Sequence, residues 1–322
     1  MPFIEQSSFP NAPFWQINGH LQTLVPGIMR RVEGIAYIRE RMETPDGDFL
    51  DLDWLVHGNP RLLIVTHGLE GNSSKHYVMG AAKLFSQNSY DVLAWNCRSC
   101  SGEMNRAFRM YHHGDTDDIG AVVNHALATG RYSELVLMGY SMGANITLKY
   151  LGALGEQAPK AIKAAAVFSA PCDLKSGADV LDRWDNTMYR RRFLRALSGK
   201  MYAKSKQYPG RIDVSRLPQV KRWRDFDEWF SAPICGYQNA DDFYSQASAR
   251  HFINGIRTPT LLANAANDPI LTQDCMPVEQ ARKHDFFHFE MPSEGGHCGF
   301  QTRGNDEFTW SERRALAFFE MW

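Results

Sequence analysis

The sequence predicts an α/β fold, a mostly parallel central sheet flanked by helices and interrupted by a helical insertion. Three observations carry that prediction. Short apolar runs without alternation recur at 62–65, 92–95, 135–138 and 164–168, as strands buried on both faces require. Stretches of helical spacing separate them, at 77–84, 117–127 and 144–151. A strand–helix–strand rhythm of this kind implies parallel pairing with right-handed crossovers. The third observation is Gly139-Tyr140-Ser141-Met142-Gly143, set between one such run and one such helix.

Taken in order, residues 10–31 are polar-aromatic and poorly periodic, and read as an arm, about 1–31, packed on the main body. Residues 33–41 and 49–54 alternate around Pro45-Asp46-Gly47-Asp48, a hairpin whose glycine can take positive φ. The buried strand 62–65 ends in His67-Gly68-Leu69-Glu70-Gly71. After the strand 92–95 a long loop runs through Arg98, Gly102 and Arg106 to Tyr111-His112-His113-Gly114-Asp115. The helix 117–127 has acidic residues in its first turn, where the helix dipole favours them. The rhythm breaks at 174–254, a segment rich in Arg, Lys, Trp and Tyr with helical patterning, read as an inserted cap. It returns with strands at 260–264 and 286–291, a helical stretch near 276–284 and a last helix over 307–322. The expected organisation is a core of 1–173 and 255–322 with the cap 174–254 inserted.

The 322 residues are 44% hydrophobic and 22% charged, ordinary for a globular protein, and the net charge of −1 gives no general attraction to nucleic acid or an anionic membrane. No apolar stretch approaches a membrane span. The start has no basic region followed by an apolar core, so no secretory signal is expected. Six cysteines in a chain of this length do not make a disulfide scaffold, and a reducing cytoplasm is the expected location. Cys97 and Cys100 form a lone C-x-x-C and read as plain loop thiols. His112 and His113 lie near Asp115, Asp117 and Asp118. Without a spaced second cluster, helix capping and loop packing is preferred to a metal site.

A strand, then G-x-S-x-G, then a helix is the setting of a nucleophile elbow. The serine stands on a strained turn with its hydroxyl clear of the backbone, and the flanking glycines lack the Cβ that would clash there. A hydroxyl becomes a nucleophile only when a base takes its proton, and the base needs an orienting group. In this architecture the acid and then the histidine follow the serine along the chain. Asp268, in Asn267-Asp268-Pro269 after the strand 260–264, is the expected acid, with Asp173 as runner-up. His297, in Gly295-Gly296-His297-Cys298-Gly299, is the expected base. The backbone N–H groups of Leu69 and Met142 are the expected oxyanion donors. His67 has a rival reading as a second base, but its place before the turn favours a structural role. In the insertion, Arg190-Arg191-Arg192 and Lys221-Arg222-Trp223-Arg224 read either as solvated helix faces or as an amphipathic lid meeting an acyl chain or headgroup.

With these residues in view the sequence resembles the YheT-like branch of the α/β-hydrolase superfamily over nearly its whole length. Asn18-Gly19-His20-Leu21-Gln22-Thr23, His67-Gly68-Leu69-Glu70-Gly71 and Gly139-Tyr140-Ser141-Met142-Gly143-Ala144-Asn145 carry the resemblance. So do Arg98, Gly102, Tyr111-His112-His113-Gly114, Asn267-Asp268-Pro269 and Gly295-Gly296-His297. Asp225-Phe226-Asp227-Glu228, Ser231-Ala232-Pro233 and Gly236-Tyr237 match more loosely. The resemblance implies an α/β-hydrolase fold, a Ser141, Asp268, His297 triad and hydrolysis of carboxylic esters. The expectations are no cofactor, a small-molecule ester or lipid-like substrate, no nucleic acid and no integral membrane segment, with room for peripheral membrane contact. Acyl transfer by the same residues, or small-molecule binding without turnover, are the alternatives.

Overall fold

The computed structural model describes residues 2–304 and 306–322. Its strands are β1 (Phe3–Ile4), β2 (Ile38–Glu43), β3 (Phe49–Leu55), β4 (Arg61–Thr66), β5 (Asp91–Asn96), β6 (Glu134–Tyr140), β7 (Ile162–Phe168), β8 (Thr260–Ala263) and β9 (Phe287–Glu290). They form one sheet of nine strands in the order β1-β9-β8-β7-β6-β4-β5-β3-β2. Every pairing is parallel except those of β3, which runs against both β2 and β5. The predicted hairpin is present, its first strand starting at Ile38 rather than at 33.

The helices are α1 (Gly19–Met29), α2 (His76–Ser86), α3 (Thr116–Ala128), α4 (Met142–Leu154), α5 (Leu174–Leu181), α6 (Thr187–Gln207), α7 (Trp223–Phe226), α8 (Ala232–Ile234), α9 (Ala240–Ala247), α10 (Val278–Arg282) and α11 (Trp310–Phe319). Successive side chains of the strands feed two cores on opposite faces. Leu63, Val65, Val136, Met138 and Ala164 pack with α2 and α11, while Leu62, Ile64, Leu135, Leu137 and Ala165 pack with α3 and α4. This is why the runs are apolar without alternation: both faces are covered. Between β7 and β8 the described chain is helical, with a single π-helical turn at Asp227–Ser231.

The arm differs from expectation. Residues 19–29 form α1, started by Asn18, whose side-chain oxygen accepts from the Leu21 N–H at 2.9 Å. Pro26 and Gly27 blur its helical signal in the sequence. Ahead of it, β1 adds a two-residue parallel strand to β9. Among the described residues no helix is long and apolar enough to cross a membrane.

Candidate active site

All the predicted site residues lie at the carboxyl ends of strands, where open α/β sheets carry their sites. Ser141 joins β6 to α4 with φ 54° and ψ −118°, a conformation that costs energy for any residue with a side chain. The glycines on either side are there for close approach. A Cβ on Gly139 would stand 2.5 Å from the Gly143 carbonyl oxygen, and one on Gly143 would stand 2.3 Å from that of Thr66. The strained bend is held by Ser141 N–H to the Phe168 carbonyl at 2.9 Å.

His297 reaches this serine from the loop after β9, its Nε2 lying 2.9 Å from Ser141 Oγ. Its Nδ1 lies 2.8 Å from Asp268 Oδ2. A carboxylate only accepts, so Nδ1 carries the proton and the neutral ring presents Nε2 as an acceptor to the serine hydroxyl. Asp268 is buried, and its other oxygen accepts the Ile270 N–H at 2.9 Å. Burial alone would push the His297 pKa down. The charge of Asp268 and its hydrogen bond override this and hold it well above the ordinary value of 6.5.

The loop carrying His297 is gripped by residues that sequence reasoning gave no role of their own. Gln22 of α1 accepts from Gly295 N–H and from the Asn267 side chain, both at 2.8 Å, and donates to the Gln16 carbonyl at 2.9 Å. Thr23 accepts the His297 N–H at 2.8 Å. The Asn267 side chain accepts the Gly296 N–H at 3.1 Å, and Ser169 accepts the Cys298 N–H at 2.8 Å. α1 therefore braces the acid loop and the histidine loop together. The contact is close: a Cβ on Gly19 would sit 1.9 Å from the Asn267 carbonyl oxygen. The only signal in the sequence was the run Asn18–Thr23 quoted for the family resemblance. Asn145 works similarly from α4. Its amide donates to the carbonyls of His113 and Ala247 at 2.8 Å each and accepts the Ala249 N–H at 2.9 Å.

The turn after β4 faces the serine, and a Cβ on Gly68 would lie 3.1 Å from that of Ser141. Gly68 N–H donates to the Tyr77 hydroxyl at 3.1 Å, Glu70 N–H to the Tyr111 hydroxyl at 3.3 Å and Gly71 N–H to the Gly68 carbonyl at 2.9 Å. Among the described residues no acceptor is found for the N–H of Leu69, which leaves it free to receive one. Met142 opens α4, so its N–H has no partner within the helix.

The rival residues are otherwise occupied. His67 donates from Nδ1 to the Gly68 carbonyl at 2.7 Å and accepts the Cys97 N–H on Nε2 at 3.0 Å, and burial lowers its pKa to about 4. Asp173 caps α5 through Ser176 N–H at 2.9 Å and pairs with Arg250. His112 accepts the Gly114 N–H at 3.1 Å, the loop-packing role. Cys97 and Cys100 are buried, which pushes both thiols up, Cys100 to about 11.

Two cavities meet at Ser141, His297, Leu69, Phe193 and Ile270. One, of about 50 Å³, is narrow and has Leu174, Leu181 and Phe243 in its wall. The other, of about 350 Å³, is broad and has the exposed Ile28 and Arg192 on its rim.

The family profile described as "alpha/beta hydrolase fold" matches residues 61–302. YheT of Escherichia coli strain K12, which carries the name of an esterase, is 33% identical over 88% of this chain and 84% of its own. Phospholipase ABHD3 of Mus musculus is 27% identical over 93% of this chain and 74% of its own. Among solved structures, the Pyrococcus furiosus esterase Pf2001 superposes with a TM-score of 0.60 at 17% identity, over 91% of this chain and 96% of that one. With this fold and these relatives, the chain belongs to the α/β-hydrolase superfamily and, within it, to the YheT-like branch of esterase- and lipase-type hydrolases.

Proposed function

We propose that the chain hydrolyses carboxylic esters through an acyl-enzyme on Ser141. The supporting observation is the unbroken line from Ser141 Oγ to His297 Nε2 at 2.9 Å and from His297 Nδ1 to Asp268 at 2.8 Å. His297 takes the hydroxyl proton as Oγ attacks the ester carbonyl, and Asp268 stabilises the imidazolium that results. The N–H groups of Leu69 and Met142 receive the oxyanion. His297 then protonates the departing alcohol. Water, deprotonated by the same ring, releases the acid and restores the serine. No step calls for a cofactor. Residues 174–254 act as a cap whose apolar side chains complete the narrow cavity.

Two features favour hydrolysis over its alternatives. Acyl transfer requires an acyl-enzyme screened from water, whereas the broad cavity leaves Ser141 accessible. A protein that binds without turnover has no use for a strained serine aimed at a paired imidazole. The test is labelling by a fluorophosphonate together with hydrolysis of p-nitrophenyl esters of increasing chain length and of a phospholipid. Labelling and turnover that both vanish in Ser141→Ala are expected, and an inert Ser141 in folded protein would defeat the reading.

A further inference from the structure

The broad cavity beside Ser141 holds more positive charge than ester hydrolysis uses. Lys75, just ahead of α2, and Arg192, on α6, both line it along with Ser141 and His297. The cavity has one carboxylate among its described lining residues, Glu70, and that group is already matched. Lys200 Nζ lies 2.7 Å from Glu70 Oε1, and the Tyr111 hydroxyl donates to the same oxygen. Among the described residues neither Lys75 nor Arg192 forms an ion pair. They are near enough that Arg192, after burial, helps to lower the Lys75 pKa, against the weaker opposing pull of Glu70. Two like charges that line one half-enclosed space repel each other, and an anion between them removes that cost.

The two cavities also separate the halves of an ester. The acyl group stays on Ser141 while water is admitted, and the narrow apolar cavity of about 50 Å³ suits it. The alcohol must leave, and the cavity of about 350 Å³ with an exposed rim is its way out. We infer that Lys75 and Arg192 form an anion subsite for the departing alcohol, so that preferred substrates carry a phosphate or carboxylate on that half. This rests on the serine-hydrolase reading above.

Two matched pairs of soluble esters test it. One is 1-butyrylglycerol 3-phosphate against 1-butyrylglycerol, and the other is O-butyrylglycolate against O-butyrylglycolamide. In the wild type the charged member of at least one pair should have a kcat/KM about tenfold higher, roughly 1.4 kcal/mol, mostly through KM. High salt should shrink that ratio. The pair with the larger ratio identifies phosphate or carboxylate as the recognised group. The ratio should fall to near one in Lys75→Gln/Arg192→Gln, and should persist in Lys160→Gln, an exposed position at the opposite end of the sheet. Ratios near or below one in the wild type, or ratios that survive the double substitution, overturn the subsite. Protection of Ser141 from fluorophosphonate by glycerol 3-phosphate or glycolate gives a readout without turnover. Protection lost in the double variant supports the subsite, and no protection in the wild type overturns it. No turnover of any ester together with an inert Ser141 would bring down the hydrolase reading and the subsite with it.

Discussion

Replacing Gln22 with alanine asks whether α1 is part of the active-site scaffold or only packs beside it. Gln22 is 2% exposed and makes three hydrogen bonds, to Gly295, Asn267 and Gln16. Gln22→Ala leaves two buried groups, the Gly295 N–H and the Gln16 carbonyl, without partners. At about 1–3 kcal/mol for each orphaned group, the loss is about 2–6 kcal/mol. For a chain of this size that is a fall in Tm of about 3–9 °C, readable by calorimetry. The rate should suffer more than stability implies, because Gly295 lies two residues from His297. A displacement of about 1 Å at a reacting group can cost about 100-fold, so kcat should fall by roughly 30- to 100-fold with KM little changed. Gln22→Glu keeps both acceptor bonds but sets an oxygen against the Gln16 carbonyl, so it should recover part of the rate and less of the stability. A Gln22→Ala variant that melts early but keeps its kcat would refute the bracing argument and leave Gln22 a packing residue.

Other perturbations follow from the same geometry. The raised pKa of His297 places the acidic limb of the kcat/KM profile above pH 6.5, since only the neutral ring can take the serine proton. Asp268→Asn should move that limb to lower pH and reduce kcat by roughly 1000- to 10000-fold, and a limb that stays in place would exclude Asp268 as the partner. For stability the sign is opposite. The His297–Asp268 pair stabilises the fold fully below the ordinary histidine pKa and loses that contribution as pH rises through the raised one. Arg98→Met takes from the buried carboxylate of Asp48 the one cation it pairs with among the described residues, at 2.5 Å, and leaves Asp118 to Arg109 alone, so urea unfolding should register a loss of about 3–5 kcal/mol. Gly143→Ala drives a Cβ against the Thr66 carbonyl, so soluble protein that still labels at a normal rate would contradict the close-approach argument.

What could be read in the sequence was what is local. The elbow declared itself because strain, small flanking residues and a buried strand must all fall within a dozen positions. The strands were legible because burial on both faces removes polar residues from them. The order serine, acid, histidine then pointed to Asp268 and His297 by their places after β8 and β9. What escaped was set by distant partners. The two-residue β1 has no periodicity to detect, and only its pairing with β9 makes it a strand. α1 carries Pro26 and Gly27 and is defined as much by its contact with the Asn267 turn as by its own residues. Gln22, Thr23, Ser169 and Asn145 act through side-chain hydrogen bonds to loops far along the chain, and no spacing rule encodes such bonds.

The bond from the His297 N–H to Thr23 spans 274 positions, and that from Gly295 to Gln22 spans 273. Chains grow from the amino end, so Ser141 and the turn after β4 emerge from the ribosome well before the loop that carries His297. Contacts of such long range form late because loop closure must come first. On the proposed mechanism a half-made chain therefore lacks its base, and reactivity arrives only when the two distant segments clasp.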